Sequence, residues 1–317
     1  MTETGARLLV DWGTTNLRAF LVDASREILE RQASDQGILS VPPDDMPALL
    51  DQLAAPWSER LRGAPAVLCG MVGSINGWTE VPYVTCPAAP ADLPKGAQKV
   101  TSAAGREVFI LPGLTRHRRL GGELMQADVM RGEETQIFGA LRHLKRSDAT
   151  FCLPGTHAKW ARVEAGRCAD FATYFTGELY SVLIRHSLLG RLMEQAGDEA
   201  ETALPEGFER GLRVAQAAEG LTGSLFSARA DVLAGFMTKA ESPGYLSGLL
   251  IGFEIREALP RFSPGVGAPG PIVIVGAHGL VPLYRTALHH SGVRVEELDG
   301  DTAVIAGLLQ ASELLDI

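Results

Sequence analysis

The sequence predicts an α/β protein, and three observations predict it. Short apolar runs that read as buried strands alternate with longer segments whose apolar residues recur at helical spacing. Two of the strands run into Gly-Thr turns, at Gly13-Thr14 and Gly155-Thr156, and each turn leads into another strand. A late strand, Ile272 to Val275, meets the small-residue run Gly276 to Leu280 and then a helical pattern through His289, the kind of strand end where α/β sheets bind ligands. At 317 residues the chain suffices for one large or two medium domains.

The first hairpin, Arg7 to Asp23, organises the rest. Leu8-Leu9-Val10 is a buried strand; Asp11, Gly13, Thr14, Thr15 and Asn16 favour a tight turn; Leu17 to Asp23 returns as a strand. Such a turn lets backbone N–H groups approach a phosphate, and the Thr hydroxyls add donors. Asp11, at the strand end, can hold a hydrated divalent cation. The same residues also suit an ordinary hairpin in which Asp and Thr only satisfy the turn.

Asp44 to Leu61 has helical spacing and leads to a strand, Ala64 to Cys69. The glycine-rich loop Gly70 to Ala88 follows. Small residues, Gly70, Gly73, Ser74 and Gly77, follow the strand end, and Trp78 and Glu80 beside them offer an aromatic face and a carboxylate for a sugar-like ligand, or a loop pinned by a packed Trp. After a third strand, Val108 to Leu111, comes the densest basic run, Arg116 to Arg119. It reads as a solvated loop or as a lure for an anionic substrate.

A helix is predicted from about Arg131 to Leu144. Ile137, Phe138, Leu141 and Leu144 define its apolar stripe, and Glu134 falls near the middle of that stripe with Glu133 at its edge. A carboxyl on a buried face has a raised pKa, which suits a general base. First-turn acids also complement a helix dipole with no chemical role. Asp128 reads as an N-cap or a rival base.

At Ala149 the opening pattern returns. The strand Ala149 to Leu153 precedes Pro154, Gly155, Thr156, His157, Ala158 and Lys159, and a shift of 142 positions lays Gly155-Thr156 on Gly13-Thr14. Two such turns can clamp one polyphosphate. The second carries Leu153 in place of Asp11, so it brings donors and the Lys159 charge but no metal-facing acid. Helical patterns follow over Thr176 to Met193, Leu212 to Leu225 and Ser247 to Leu259, with Asp198 to Gly211 loop-like and Gly265 to Pro271 flexible punctuation. The last, Asp301 to Leu314, carries Ala303, Ala306 and Gly307 and suits close helix packing.

Composition bounds the function. A net charge of −9 disfavours a nucleic-acid binder. No apolar run is long enough to cross a bilayer, and the N-terminus lacks a signal-peptide pattern, so no membrane role is expected. Cys69, Cys86, Cys152 and Cys168 have no metal-like spacing and read as reduced structural thiols of a cytoplasmic protein.

The two Gly-Thr hairpins, the acidic helix between them and the terminal Ala/Gly helix resemble the sugar kinase/heat-shock 70/actin ATPase superfamily. More narrowly, DWGTTNLRAF, CGMVGSINGWTEVPYVTCPA, DVMRGEETQIFGAL, LPGTHAKW, FTGELY and IVGAHGL resemble the 2-dehydro-3-deoxygalactonokinase family along nearly the whole chain. The resemblance implies two ribonuclease-H-like α/β domains with an ATP cleft between them: residues 1–140 with 301–317, and residues 141–300. It implies a first phosphate loop of Asp11, Gly13, Thr14, Thr15, Asn16 and Arg18, with Asp11 toward Mg²⁺. It implies a second of Gly155, Thr156, His157 and Lys159, with Gly276, Ala277 and His278 at the adenosine. Ser74, Trp78 and Glu80 would hold the sugar acid, and Arg131 or an arginine of the basic run its carboxylate. The base would be Glu134 or Asp128. The activity implied is ATP- and Mg²⁺-dependent phosphorylation of the 6-hydroxyl of 2-dehydro-3-deoxy-D-galactonate. A polyphosphate or nucleotide phosphatase, a kinase for another sugar or sugar acid, and an ATP-driven interaction protein are the alternatives. Oligomeric state stays open, a homodimer among the options.

Overall fold

A computed structural model describes residues 6–194, 204–262, 270–276 and 279–317. The chain forms two units. The first takes in Met1–Asp148, Val163–Asp170 and Gly300–Ile317, and the second Ala149–Arg162 and Phe171–Asp299.

The first unit begins with β1 (Arg7–Trp12), β2 (Leu17–Val22) and β3 (Ile28–Ser34), followed by helices α1 (Met46–Ala54) and α2 (Ser58–Leu61). Then come β4 (Ala66–Cys69), β5 (Val84–Thr85), α3 (Asp92–Gly96), β6 (Gln98–Thr101), β7 (Glu107–Ile110), β8 (Leu114–Leu120), β9 (Leu124–Met130) and α4 (Glu133–Leu144). Its main sheet has the order β3-β2-β1-β4-β7-β6. β1 pairs antiparallel with β2 and parallel with β4, and β4 pairs parallel with β7.

Side chains alternate across β1. Leu8, Val10 and Trp12 pack with Met46, Leu50 and Trp57 on one face of the sheet. Leu9 packs on the other with Phe20, Cys69, Val304 and Leu308. The same alternation puts Asp11 on the Leu9 face, at the strand end.

The second unit contains β10 (Ala149–Leu153), most of β11 (Ala158–Glu164), the latter half of β12 (Arg167–Tyr174), α5 (Thr176–His186), α6 (Phe208–Ala217), α7 (Leu221–Ser224), α8 (Ser227–Leu233), α9 (Glu241–Phe262), β13 (Ile272–Gly276), α10 (Val281–His290) and β14 (Val295–Asp299), while Val163–Asp170 are grouped with the first. Its sheet runs β12-β11-β10-β13-β14. Both sheets place their first three strands in reverse order and then two parallel crossover strands, and the first sheet adds β6, antiparallel to β7, at its edge. These are the two ribonuclease-H-like sheets expected.

Helix α11 (Gly300–Leu314) belongs to the first unit and packs on α4. The contact is backbone to backbone. A Cβ on Gly139 would lie 1.9 Å from the Ala303 carbonyl oxygen, and one on Gly307 would lie 2.0 Å from that of Thr135. The small residues of the terminal helix serve the close packing expected of them.

Several sequence expectations are corrected. The basic run Arg116 to Arg119 is not a loop but the middle of β8, paired with β9 in a hairpin that sets Arg116 opposite Asp128. Asp128 is therefore a strand residue and does not cap α4, whose N-cap is Gly132. The predicted helix Leu212 to Leu225 begins earlier, at Phe208, ends at Ala217 where Ala218 turns extended, and resumes after Gly220 as α7. The one predicted over Thr176 to Met193 stops at His186 before Ser187 turns extended. The helix expected over Ser247 to Leu259 is longer, spanning Glu241–Phe262. Gly265 to Pro271 falls mostly outside the described residues, as do Ala277 and His278 and part of the Asp198 to Gly211 segment.

Candidate active site

Four chain segments of the first unit meet where β1 and β4 end. Gly70, just past β4, has φ +92°, a left-handed value that favours glycine. A Cβ there would lie 2.7 Å from the Trp12 carbonyl oxygen and 3.1 Å from Asp11 Oδ1. Gly132, φ +109°, abuts Gly70, since a Cβ on it would stand 3.3 Å from the Gly70 Cα. These two glycines let the N-terminus of α4 approach the strand that carries Asp11.

Glu134 sits at that N-terminus with 1% of its surface exposed. Its Oε2 accepts the Gly132 N–H at 2.7 Å and its Oε1 the Thr135 hydroxyl at 3.0 Å. Burial, and next the neighbouring Glu133 carboxylate, push its pKa up to about 8. Cys69 reports the same cluster: burial first, then the Asp11 and Glu134 carboxylates, drive its thiol well above the ordinary range. The structure thus brings Asp11 and Glu134, 123 residues apart in sequence, around one thiol.

Asp11 is half-buried. One carboxylate oxygen takes the Arg18 guanidinium, and Arg18 also pairs with Asp301 at the start of α11. Asp301 in turn pairs with Arg31 at 3.2 Å. The sequence reading missed Asp301, which announces itself only as a helix-start acid.

The first turn is strapped by the segment after β3. Gly37, Ile38 and Leu39 donate backbone N–H groups to the carbonyls of Thr15, Gly13 and Thr14. Thr14, Thr15 and Asn16 stay exposed, with Asn16 Nδ2 donating to Thr15 Oγ1 at 3.2 Å. A pocket of about 540 Å³ opens over the turn, lined by Asp11, the residues from Gly13 to Arg18, and β3. The exposed Thr14 and Thr15 hydroxyls face this opening.

In the second unit the matching turn follows β10. Thr156 and His157 are exposed, whereas Lys159 is buried with its ammonium donating to the His157 carbonyl at 2.9 Å. His157 pairs with Glu178 at 2.5 Å and stacks on Phe175 with ring centroids 5.1 Å apart. A Cβ on Gly177 would lie 2.5 Å from the Gly155 carbonyl oxygen, so the first turn of α5 props this loop. Gly276 ends β13 beside Pro154, which a Cβ there would meet at 3.7 Å. Ala277 and His278 of the expected adenosine segment lie outside the described residues.

The loop after β4 folds tightly on itself. Trp78 and Val81 donate backbone N–H groups to Val72 and Gly73. Trp78 is half-buried against the core, Glu80 is exposed and Ser74 is buried. Arg131, between β9 and α4, reaches into this loop: its Nη2 donates to the Val81 carbonyl at 2.7 Å, and its guanidinium lies 4.2 Å from the Tyr83 ring centroid. Of the basic run, Arg116 is buried and paired with Asp170, while Arg118 and Arg119 are exposed. Asp128 is half-buried, its carboxylate accepting the Val129 N–H.

Among the described residues no three or more His, Cys, Asp or Glu side chains are grouped to hold a metal, and no helix is long and apolar enough to cross a membrane. All four cysteines are free, and Cys86 and Cys168 share a hydrogen bond.

The family model for 2-keto-3-deoxy-galactonokinase matches residues 11–311. The 2-dehydro-3-deoxygalactonokinase of Escherichia coli (strain K12) is 34% identical over 306 residues, covering 96% of this chain and 97% of its own. A Rhizobium meliloti (strain 1021) protein assigned the same activity is 36% identical over 317 residues, covering 99% of each chain. A crystal structure from Sinorhizobium meliloti, of a protein likewise assigned, superposes with a TM-score of 0.86 at 35% identity over 97% of this chain and 98% of that one. At the level of fold alone, the activator of the 2-hydroxyisocaproyl-CoA dehydratase from Clostridium difficile matches with a TM-score of 0.50 at 13% identity, covering 98% of this chain and 96% of its own.

Proposed function

The chain belongs to the 2-keto-3-deoxy-galactonokinase family, and from that premise we propose that it is an ATP-dependent kinase of 2-dehydro-3-deoxy-D-galactonate, phosphorylating the 6-hydroxyl. The observation that carries the chemistry is the buried Glu134 carboxyl, with a pKa of about 8, beside the strand ends that hold Asp11 and Gly70. A primary alcohol must lose its proton as the phosphoryl group arrives, and a carboxylate with proton affinity near neutrality suits that task.

Phosphoryl transfer asks the protein mainly for positioning and charge stabilisation. Gly13, Thr14, Thr15, Asn16 and Arg18 form the first phosphate loop; Gly155, Thr156, His157 and Lys159 form the second; Gly276, Ala277 and His278 take the adenosine. Residues 1–140 with 301–317 carry the first loop and the sugar-acid site, and residues 141–300 the second loop and the adenosine site. Ser74, Trp78, Glu80 and Arg131 hold the sugar acid. Glu134 is the base. Asp128, paired across a strand hairpin with its carboxylate on its neighbour's N–H, is less suited to that role.

Mg²⁺ is expected at Asp11. The fit is chemical: this ion is commonly held by one or two carboxylates together with substrate phosphates, so one strand-end acid beside an exposed donor-rich turn is enough. When bound it would neutralise phosphate charge. Arg18, now shared by Asp11 and Asp301, would turn part of its guanidinium to phosphate. The free cysteines support a cytoplasmic location, and sedimentation decides whether the enzyme is a homodimer. The phosphatase and interaction-protein alternatives gain nothing from relatives that are kinases by name.

The test is a coupled ADP-release assay with MgATP over a panel of galactonate- and gluconate-derived 2-keto-3-deoxy acids and plain sugars. Turnover is expected with the galactonate-derived acid above the others. ADP release that ignores the added acid would point to a phosphatase instead.

A further inference from the structure

Arg131 is 8% exposed, and Ser74 is 7% exposed. Among the described residues, Arg131 Nε, Arg131 Nη1 and Ser74 Oγ have no hydrogen-bond partner although each atom is buried. The rest of the guanidinium is held firmly. Nη2 is spent on the Val81 carbonyl, and the plane rests on Tyr83. Tyr83 is itself lodged against Gly113, where a Cβ would come within 2.8 Å of the ring.

Ser74 follows Gly73, whose missing side chain leaves room for the cation, since a Cβ there would lie 3.0 Å from Arg131 Nη1. A guanidinium is always charged, and a charge taken out of water without an acceptor is strongly unfavourable. Buried polar groups in native proteins almost always find partners, so orphans of this kind call for an occupant. Two orphaned donor groups at one glycine, Ser74 next to it in the chain and Arg131 Nη1 against it in space, call for an anion with more than one acceptor oxygen.

Resting on the sugar-acid kinase reading, we propose that Arg131 and Ser74 form the subsite for the substrate's carboxylate and make the enzyme select an acid over its neutral counterpart. The chain geometry supports this division. Arg131 is three residues before Glu134, with Gly132 between them packed on Gly70. Three residues span at most roughly 10 Å, a length that an extended six-carbon acid can bridge once the two side chains are counted. The acid end would sit at Arg131 and the hydroxyl end at Glu134. Arg116 is committed to Asp170, which removes the nearest rival of the basic run.

The experiment compares 2-dehydro-3-deoxygalactonate with its methyl ester, which keeps the sugar chain, removes the carboxylate charge and adds one methyl group. Wild type, Arg131→Lys and Ser74→Ala are assayed for kcat and KM on both. Wild type is expected to prefer the acid by roughly 10²-fold or more in kcat/KM, the usual consequence of an unpaired buried charge. Arg131→Lys should lose most of that preference, and Ser74→Ala roughly tenfold of it, read as a fall in the acid-to-ester ratio of kcat/KM in each.

A fall in acid and ester together would make Arg131 a mere prop of the loop and overturn the proposal. Acid preference untouched in both variants overturns it too, while leaving the kinase reading intact. Should Arg131→Lys fail to fold, Ser74→Ala decides alone. Wild type active on plain sugars but inert on every acid would overturn the substrate reading and this inference with it.

Discussion

Glu134→Gln should make a worse enzyme and, above neutral pH, a more stable protein. Burial and Glu133 raise the carboxyl from its ordinary 4.5 to about 8. Below pH 4.5 the group is protonated in both folded and unfolded chains and costs nothing. Between 4.5 and about 8 the unfolded chain releases a proton that the folded chain retains, so stability falls as pH rises. Above about 8 the penalty is complete. At about 1.4 kcal/mol per pH unit the full penalty approaches 5 kcal/mol. A neutral Gln of the same shape escapes it, and the Gly132 N–H and Thr135 hydroxyl can still donate to its carbonyl. The new amide N–H₂ lacks an assured acceptor, so the 5 kcal/mol is a ceiling. Glu254, raised to about 7 mainly by burial, adds a similar slope to both proteins and cancels in their difference.

The assay is urea unfolding of wild type and variant at each pH from 5 to 9, alongside ADP release. The stability difference should grow in favour of the variant by about 1.4 kcal/mol per pH unit up to about pH 8. Turnover should fall by roughly 10²–10⁴. Wild-type kcat/KM should climb with pH toward 8 as the base loses its proton. Parallel stability curves would refute the protonated buried carboxyl, and a near-wild-type rate would refute its role as base.

The other expectations are as follows. Asp11→Asn should depress turnover strongly with modest change in KM for the sugar acid, and chelation of Mg²⁺ should mimic it reversibly in wild type; an unaffected rate removes the metal role. Gly307→Ala drives a Cβ to 2.0 Å from the Thr135 carbonyl, an overlap that only separation of α4 and α11 relieves. It should cost about 3 kcal/mol, read as a thermal midpoint several degrees lower. Gly177→Ala should displace the Gly155 carbonyl from beneath α5 and raise KM for ATP roughly tenfold while sparing KM for the sugar acid. A shift in both constants would mean general damage to the second unit.

What the sequence discloses of the fold follows from where periodicity is clean. β1, β4, β7, β10 and β13 are buried apolar runs, and each was legible. β3, β6 and β14 were not. They are strands such as ILERQAS and VEELD, whose exposed and charged residues dilute any alternation. The β8–β9 hairpin hid for a different reason. Its charged strand LTRHRRL lies outside the main sheet with His117, Arg118 and Arg119 exposed, so charge masks the strand pairing. Helix ends in the second unit are hard to read because apolar spacing continues across breaks set where the backbone turns extended, as at Ser187 and Ala218.

The site divides along the same line. Glu134 could be found because helical spacing fixes the face on which a residue stands, and burial of that face is a local property of the sequence. Asp301 could not, because its meaning comes from Arg18, 283 residues earlier, which bridges it to Asp11. The orphaned donors of Arg131 are likewise invisible in one dimension, since a partner's absence shows only when every neighbour is in place. The Gly-Thr turns explain the contrast. Both sheets repeat one strand order, yet only the first hairpin of each keeps a readable likeness. A strand needs no more than alternation and tolerates many sequences. A tight turn with small residues at fixed positions tolerates few, so in two units of related topology the likeness survives where the chain has least freedom.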